Sequence, residues 1–173
     1  GAVNSDILFV GEQPGDMEDL AGRPFVGPAG KLFDHVLAEA RIDRRRAYIT
    51  NAVKHFKFEP RGKRRIHKRP DAGEVQRCKW WLDLERRLVA PRLIVALGAT
   101  AALAVTGNGK DILRRRGTIE IADDGVTPVF LTIHPSAVLR AGNPAEREAA
   151  RRAFLADIMA LAVLVSPAPK TPA

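Results

Sequence analysis

The sequence predicts an α/β fold, a three-layer α/β/α sandwich built on a central, mainly parallel sheet of four strands. The first observation is a set of four short, continuous apolar runs, the pattern of parallel strands that are buried on both faces. The second is that segments with a helical period separate these runs. Strands that alternate with helices favour a mainly parallel sheet with helices packed on it.

Each predicted element has its own signal in the chain. The strands are apolar runs that end near a glycine or a polar residue, and they are predicted at 6–10, 47–53, 92–97 and 128–133. A short edge strand is predicted at 119–122. Helices are predicted at 31–41, from 70 or 71 to about 88, at 99–105 and from 146 to about 165, with a loop or short helix at 107–116. The proline-rich residues 166–173 are expected to be flexible.

Composition limits the class of protein. A chain of 173 residues with 46% hydrophobic residues suits a single domain, residues 1–173, with an apolar core. Its formal net charge of +8 suits a polyanionic partner such as nucleic acid, although such a charge also serves solubility. One cysteine excludes an internal disulfide and favours an intracellular protein. The longest apolar run, 158–165, is too short to cross a bilayer and no signal peptide opens the chain, so no membrane partner is expected.

Polar residues follow the predicted strands at the points where ligands bind in open α/β sheets. Gly11 to Asp16, GEQPGD, follows the first strand and carries Glu12, Gln13 and Asp16; the alternative is a plain strand-to-helix turn with exposed acids. His134-Pro-Ser136 directly follows the last of the four strands.

Two further residues have the chemistry to recognise a base. Phe25 lies in a glycine-rich segment, where it is either a core residue or a platform on which a base stacks. This segment is not a nucleotide triphosphate loop, because a Walker A motif would need glycine at Phe25 and serine or threonine at Leu32. Asn51 ends the second strand, and its side-chain amide can donate and accept hydrogen bonds at once, as recognition of a pyrimidine edge requires. The alternative is a structural asparagine that bonds its own backbone.

Basic residues cluster in the segment from Lys54 to Pro70. It is too polar for the core and has no helical or strand period, so it is predicted to be an exposed loop. Within it lies His67, next to Lys63, Arg64 and Arg65; the simplest alternative is a solvated basic loop. A second basic run is predicted to contact phosphate, and it consists of Arg114, Arg115 and Arg116.

Taken together, the motifs GEQPGD, RPFVG, TNAVK and HPS resemble the uracil-DNA glycosylase superfamily, most closely its iron–sulfur branch. Gln13 and the KRRIH sequence that ends at His67 are similar to a narrower group, the UdgX-type uracil-DNA-binding proteins. The resemblance extends from about Asp6 to Leu164 and implies the same α/β/α fold.

The resemblance implies a role for each residue. Phe25 would stack on a flipped-out uracil, Asn51 would bond its N3–H and O4, and His134 would donate to O2 of the departing base. Residues expected on the sugar side are Glu12, Gln13 and Asp16. Residues expected to hold phosphates are Lys63, Arg64, Arg65, Arg114, Arg115, Arg116 and Ser136. The implied substrate is uracil-containing DNA, preferably single-stranded, handled by a monomer in the bacterial cytoplasm at the nucleoid.

Three readings of the activity remain, and His67 separates the first two. In UdgX-type proteins the equivalent histidine attacks the sugar C1′ and leaves the protein covalently joined to DNA after a single turnover. The alternatives are an ordinary glycosylase that releases uracil over many turnovers, with a basic loop that only grips DNA, and a DNA-binding module that has lost its chemistry. Phe25, Asn51 and His134 are all present, and they argue against the last reading.

The resemblance also implies a 4Fe–4S cluster, and here the chain departs from the pattern. His55 and Cys78 fall at the positions of the third and fourth ligands, with histidine in place of the usual cysteine. The first two ligands of the branch form a C-x-x-C that this sequence does not contain, and two ligands cannot hold a cluster. Either an upstream segment supplies the missing pair or this member has lost the cluster; the presence of both His55 and Cys78 favours the upstream segment.

Overall fold

The computed structural model describes residues 1–165, so the predicted flexible tail, 166–173, lies outside the described residues. The strands are β1 (Ile7–Gly11), β2 (Ala47–Asn51), β3 (Phe58–Arg61), β4 (Arg64–His67), β5 (Leu93–Leu97), β6 (Ile119–Ile121) and β7 (Pro128–Thr132). The helices are α1 (Asp16–Ala21), α2 (Pro28–Glu39), α3 (Ala72–Val89), α4 (Ala99–Thr106), α5 (Ile112–Arg115), α6 (Pro135–Leu139) and α7 (Pro144–Val165). No helix within residues 1–165 is long and apolar enough to span a membrane.

The central sheet has the strand order β2-β1-β5-β7-β6. The first four of these strands are parallel, as predicted, and β6 pairs antiparallel with β7 as the predicted edge strand. Gly11 and Asn51 are register partners at the ends of β1 and β2. Since the parallel strands all run the same way, their carboxyl ends, and the polar loops that follow them, meet at one edge of the sheet.

Helices pack on both faces of the sheet because each parallel strand is apolar on both faces. On β1, Phe9 belongs to the core that α2 and α7 cover, whereas Leu8 belongs to the core that α3 and α4 cover. Both side chains are fully buried. This alternation follows from the two-residue period of a strand, and it confirms the predicted three-layer sandwich.

The basic segment departs from its prediction. It is exposed, as expected, but it is a hairpin and not a loop: β3 and β4 pair antiparallel, and Gly62, with a φ of 59°, occupies the connecting turn. Neither strand contains a buried residue. A strand period is visible in a sequence only where one face is apolar and buried, so this hairpin left no pattern to read.

Candidate functional site

A cleft of about 780 Å³ opens at the carboxyl edge of the sheet. The residues of the four loop motifs contribute to its lining, and the hairpin closes one side. The lining includes Glu12, Gln13, Asp16, Phe25, Asn51, His67, His134 and Ser136. The cleft therefore collects eight of the residues that the sequence proposed for the site. Parallel strands bring the loops after their carboxyl ends to one place, and the α1–α2 loop and the hairpin add Phe25 and His67.

Glu12 and His67 meet inside this cleft. The His67 Nε2 lies 3.3 Å from Glu12 Oε1, although the two residues belong to β4 and to the loop after β1. The other carboxylate oxygen, Oε2, accepts a hydrogen bond of 2.6 Å from the Thr100 hydroxyl. The guanidinium of Arg69 lies 3.9 Å from the same oxygen. His67 retains 47% of its side-chain surface exposed to solvent, so a ligand in the cleft can reach its ring.

Glu12 is held in the ionised form. Burial alone would raise its pKa, but hydrogen bonds from His67 and Thr100 outweigh burial, and the net effect is a pKa below the ordinary value. The electrostatic effect of the nearby His67 ring acts in the same direction. The cleft thus carries a fixed negative charge on the side that faces His67.

Gln13 uses its amide to hold the hairpin. Its side chain is buried, and Nε2 donates to the carbonyl oxygens of Lys57 and Lys68 at 3.2 and 3.1 Å. Its Oε1 accepts the N–H of Lys57 at 3.1 Å. Lys57 precedes β3 and Lys68 follows β4. The Gln13 side chain therefore holds the two chain segments at the base of the hairpin. Gln13 is among the residues that line the cleft, but its polar atoms face protein backbone.

Asp16 is likewise engaged with the hairpin. Arg65 donates to Asp16 Oδ1 at 2.5 Å and to Asp19 Oδ2 at 2.6 Å, and it therefore ties β4 to α1. The same guanidinium lies 5.3 Å from the ring centre of Phe56 and 5.2 Å from that of Phe58. Cation–π contacts of this kind stabilise the position of Arg65 in addition to its two ion pairs.

Asn51 and Phe25 lie together at the floor of the cleft. Gly11 makes this close arrangement possible because it has no side chain. A Cβ on Gly11 would lie 2.4 Å from Asn51 Oδ1 and 2.8 Å from the Phe25 ring. The Phe25 backbone has a φ of 56°, a strained value for a residue other than glycine. Asn51 Oδ1 is buried and has no hydrogen-bond partner among the described residues. A buried acceptor without a protein partner at a cleft wall is free to accept an N–H or O–H from a ligand or from water.

His134 is placed by the start of α6. It is the N-cap residue, and its Nδ1 accepts the backbone N–H of Ser136 at 3.1 Å. An imidazole whose Nδ1 accepts carries its proton on Nε2. Burial lowers the pKa of His134 to about 4, so the ring is neutral at physiological pH. His134 is therefore a neutral donor, and its ring centre lies 5.6 Å from that of Phe25.

The predicted phosphate contacts divide into exposed residues and residues that already have protein partners, and Arg65, paired with Asp16 and Asp19, belongs to the second group. Lys63, Arg64 and Arg114 are exposed, and no carboxylate partner is found for them in residues 1–165. In contrast, Arg115 pairs with Glu120 at 2.6 Å and Arg116 pairs with Asp157 at 2.9 Å. The hydroxyl of Ser136 is also engaged, since it lies 2.8 Å from Nδ1 of His134 and accepts from Arg140. The exposed group is better placed to reach DNA than the paired arginines.

The structure brings the two predicted cluster ligands together. His55 Nδ1 lies 3.9 Å from the Sγ of Cys78, and the Cys78 thiol is buried. Within residues 1–165 no three or more histidine, cysteine, aspartate or glutamate side chains are grouped to hold a metal ion. Two donors fit part of a cluster that needs four, so no chemical step is assigned to one.

Two residues that support the site were not predicted from the sequence, Thr100 and Lys54. Thr100 lies two residues after Gly98, the residue that follows β5, and this carboxyl-end position was its one signal. A threonine in the first turn of an apolar helix has no motif of its own. Lys54 belongs to TNAVK and begins the basic segment, but neither pattern predicts its partners. Its Nζ donates to the Asn51 carbonyl at 2.8 Å and to Glu85 at 2.5 Å. Contacts to α3, which is distant in the sequence, cannot be read from a linear motif.

Comparison with known proteins agrees with this geometry. The family model described as the uracil DNA glycosylase superfamily matches residues 1–158. The Type-4 uracil-DNA glycosylase of Thermotoga maritima is 40% identical over 141 residues, which are 81% of this chain and 69% of that protein. The enzyme of the same name from Archaeoglobus fulgidus is 41% identical over 145 residues, 80% of this chain and 69% of that protein.

A third relative with this name, from Sulfurisphaera tokodaii, is 34% identical over 146 residues, 80% of this chain and 63% of that protein. The chain thus spans about two thirds of the length of these relatives. The family match covers the sheet, the cleft and the hairpin, and on these grounds the chain belongs to the uracil DNA glycosylase superfamily.

Proposed function

We propose that this protein cleaves uracil from DNA and that His67 then captures the sugar C1′ in a covalent adduct, so that each molecule acts once. The observation that carries the proposal is the position of His67: its imidazole enters the cleft beside an ionised Glu12. A residue that only gripped phosphate would have no need of that carboxylate. The family match and the Type-4 uracil-DNA glycosylase relatives support the choice of substrate.

Recognition of the base rests on the floor of the cleft. Uracil carries a donor at N3 and an acceptor at O4, and the Asn51 amide offers the complementary pair. The unpartnered Oδ1 accepts N3–H, while Nδ2 donates to O4. Cytosine has a donor where uracil has O4, so the same amide would have to turn over and lose a bond. Phe25 supplies the ring on which the base stacks.

Departure of the base depends on His134. When the C1′–N1 bond breaks, its electron pair leaves with the base, and uracil becomes an anion with charge on O2. A neutral His134 with its proton on Nε2 donates a hydrogen bond to that oxygen. Donors that are fixed before the reaction stabilise developing charge most effectively.

The sugar that remains is an oxocarbenium-like cation, electrophilic at C1′. Glu12 is ionised and stabilises this positive charge. A neutral imidazole keeps a lone pair on one ring nitrogen, and the lone pair of His67 forms the new bond to C1′. The imidazolium that results gives up its ring proton to Glu12 or to solvent, and uracil takes a proton in turn, so that charge is balanced.

The second candidate is an ordinary glycosylase. The relatives are named Type-4 uracil-DNA glycosylases, and Glu12 lines a cleft of about 780 Å³, which has room for a water molecule as well as a nucleotide. In that mechanism water attacks C1′, Glu12 accepts its proton, and the hairpin only contacts DNA. The two candidates share the chemistry of base departure and differ in the nucleophile alone.

The substrate is proposed to be single-stranded DNA in preference to duplex. An unpaired base in a single strand enters the cleft without the cost of unpairing and unstacking a duplex. The exposed cations Lys63, Arg64 and Arg114 supply the phosphate contacts. His55 and Cys78 are proposed as two ligands of a 4Fe–4S cluster, conditional on two further ligands; the absorbance of an iron–sulfur cluster in a longer form of the protein tests this.

A denaturing gel distinguishes the two nucleophiles. The protein is incubated with a single-stranded uracil oligonucleotide, boiled in detergent and separated by electrophoresis. We expect a shifted protein–DNA band with uracil DNA and none with thymine DNA. His67→Ala should abolish the band, whereas His35→Ala, a change at an exposed histidine of α2, should leave it intact. Release of free uracil over many turnovers with no shifted band would identify an ordinary glycosylase.

A further inference from the structure

We propose that Thr100 is a positioning residue for the reaction: its hydroxyl fixes the Glu12 carboxylate so that one oxygen faces His67 and the reacting sugar. The inference rests on the proposed function, since it concerns the same cleft. Thr100 itself is on the far side of Glu12 from His67, and we assign it no contact with substrate.

The contact is short and buried. Thr100 is 3% exposed, and its Oγ1 donates to Glu12 Oε2 at 2.6 Å. The two residues are 88 positions apart in the sequence, but β1 and β5 are neighbouring strands, so the loops that follow them lie side by side. Thr100 is the second residue of α4, and it reaches Glu12 from the first turn of that helix.

The turn before Thr100 is adapted to this position. Gly98 ends the loop between β5 and α4 with a φ of 94°, a conformation that residues with side chains rarely adopt. A Cβ there would lie 3.1 Å from the Cβ of His134. This turn therefore brings the start of α4 close to the leaving-group histidine and places the Thr100 hydroxyl against Glu12 behind the cleft lining.

The hydroxyl decides which oxygen of Glu12 is free. The groups that face the carboxylate are His67 from the hairpin, Arg69 just after the hairpin, His134 from the loop before α6, and Thr100 from α4. With Oε2 occupied by Thr100, Oε1 is left for His67. Without that bond the carboxylate is free to rotate toward the Arg69 guanidinium, 3.9 Å away. Glu12 would then be displaced from the sugar cation.

Thr100→Val tests the hydroxyl with little change of shape. We expect the single-turnover rate of uracil cleavage to fall about 10- to 100-fold, the range for a hydrogen bond to a charged group. The affinity for uracil-containing DNA should change little. The acid limb of the pH–rate profile should also move to higher pH, because one of the hydrogen bonds that lower the pKa of Glu12 is lost. Thr100→Ser retains the hydroxyl and should restore both rate and profile.

Thr106→Val is the matched control. Thr106 lies on the same helix, but its hydroxyl donates to the backbone carbonyl of Ala102. We expect this variant to keep the wild-type rate and pH profile. If Thr100→Val gives the wild-type rate and the wild-type acid limb, the proposal is wrong. If Thr100→Val does not fold, Thr100→Ala and Thr100→Ser provide the same comparison.

An NMR titration of the Glu12 carboxyl separates this proposal from the proposed function. We expect the pKa of Glu12 to be higher in Thr100→Val than in the wild type. This readout needs no substrate, so a wild-type protein that cleaves no uracil would refute the proposed function and leave the positioning role testable. An unchanged Glu12 titration in the variant would refute the positioning role even if the wild type is active.

Discussion

The protonation of His134 is set by Ser136, whose backbone N–H and hydroxyl both lie at Nδ1, and by burial. The pKa of His134 is about 4 in the folded protein against 6.5 as its ordinary value. The unfolded chain therefore binds a proton in this window that the folded protein does not. The resulting stability is fully present above pH 6.5 and is lost as the pH falls toward 4.

His134→Gln removes this titration. We expect the wild type to lose more free energy of unfolding than the variant between neutral pH and about pH 4. Denaturant unfolding at each pH measures the free energy of unfolding of both proteins. The other titrating groups are the same in both, so their contributions cancel in the difference. Equal losses would show that His134 is not held neutral by the fold.

Recognition of the base can also be tested at a single residue, Asn51. Asn51→Asp replaces a donor by a carboxylate, which cannot donate to O4 and repels the developing uracil anion. We expect uracil cleavage to slow by at least about 10- to 100-fold. Asn4→Asp, at an exposed position, makes the same chemical change away from the cleft and should have no effect. The measurement is the rate on uracil, thymine and cytosine oligonucleotides; wild-type activity on thymine equal to that on uracil would contradict the assignment of the pocket.

At the scale of an element, the hairpin is held to the body by contacts near its base and along β4. It has no buried residue of its own, so its position depends on Gln13 and on Arg65, which pairs with Asp16 and Asp19. We expect Arg65→Ala to loosen the hairpin. The adduct should form more slowly, while cleavage of uracil, which needs Asn51 and His134, changes less.

Limited trypsin digestion measures that loosening. Arg64→Ala is the control, because it removes one neighbouring trypsin site and one positive charge but no ion pair in the described structure. We expect cleavage after the remaining basic residues of the hairpin to be faster in Arg65→Ala than in Arg64→Ala. Identical digestion of the two variants would mean that the ion pairs with α1 do not hold the hairpin.

The elements also show which features a sequence can predict. The four parallel strands were predictable because burial on both faces leaves an unbroken apolar run, as in residues 93–97. The loops that carry Glu12, Asn51 and His134 were predictable because they end such strands. The hairpin was not, since its pairing depends on backbone bonds and on Gln13 and leaves no apolar alternation.

Side-chain partners that are distant along the chain were also not indicated by the sequence. Arg116 was predicted to face phosphate, yet it pairs with Asp157, 41 residues later, and donates to the Ala153 carbonyl. The cluster of three arginines is a feature of the sequence alone, because folding divides it among Glu120, Asp157 and solvent. A charge run in a sequence gives the number of cations and not their partners.

At the scale of the whole molecule, the net charge of +8 governs binding to DNA. Many of the arginines are already paired with carboxylates, so the charge that reaches DNA comes from exposed residues near the cleft. Affinity for single-stranded DNA should fall as salt rises, because each phosphate contact releases counterions. Each contact contributes about 0.7 to the slope of log affinity against log salt concentration on a single strand.

The structure makes this prediction specific to particular cations. Lys63→Ala combined with Arg64→Ala should flatten the salt slope by about 1.4, the value for two lost contacts. Arg115→Ala combined with Arg116→Ala should leave the slope nearly unchanged and lower the free energy of unfolding, because it leaves Glu120 and Asp157 without their partners. Binding titrations over a range of salt concentrations, with denaturant unfolding of each variant, measure both effects. A slope that responds to the second pair and not to the first would place DNA along α5 instead of along the hairpin.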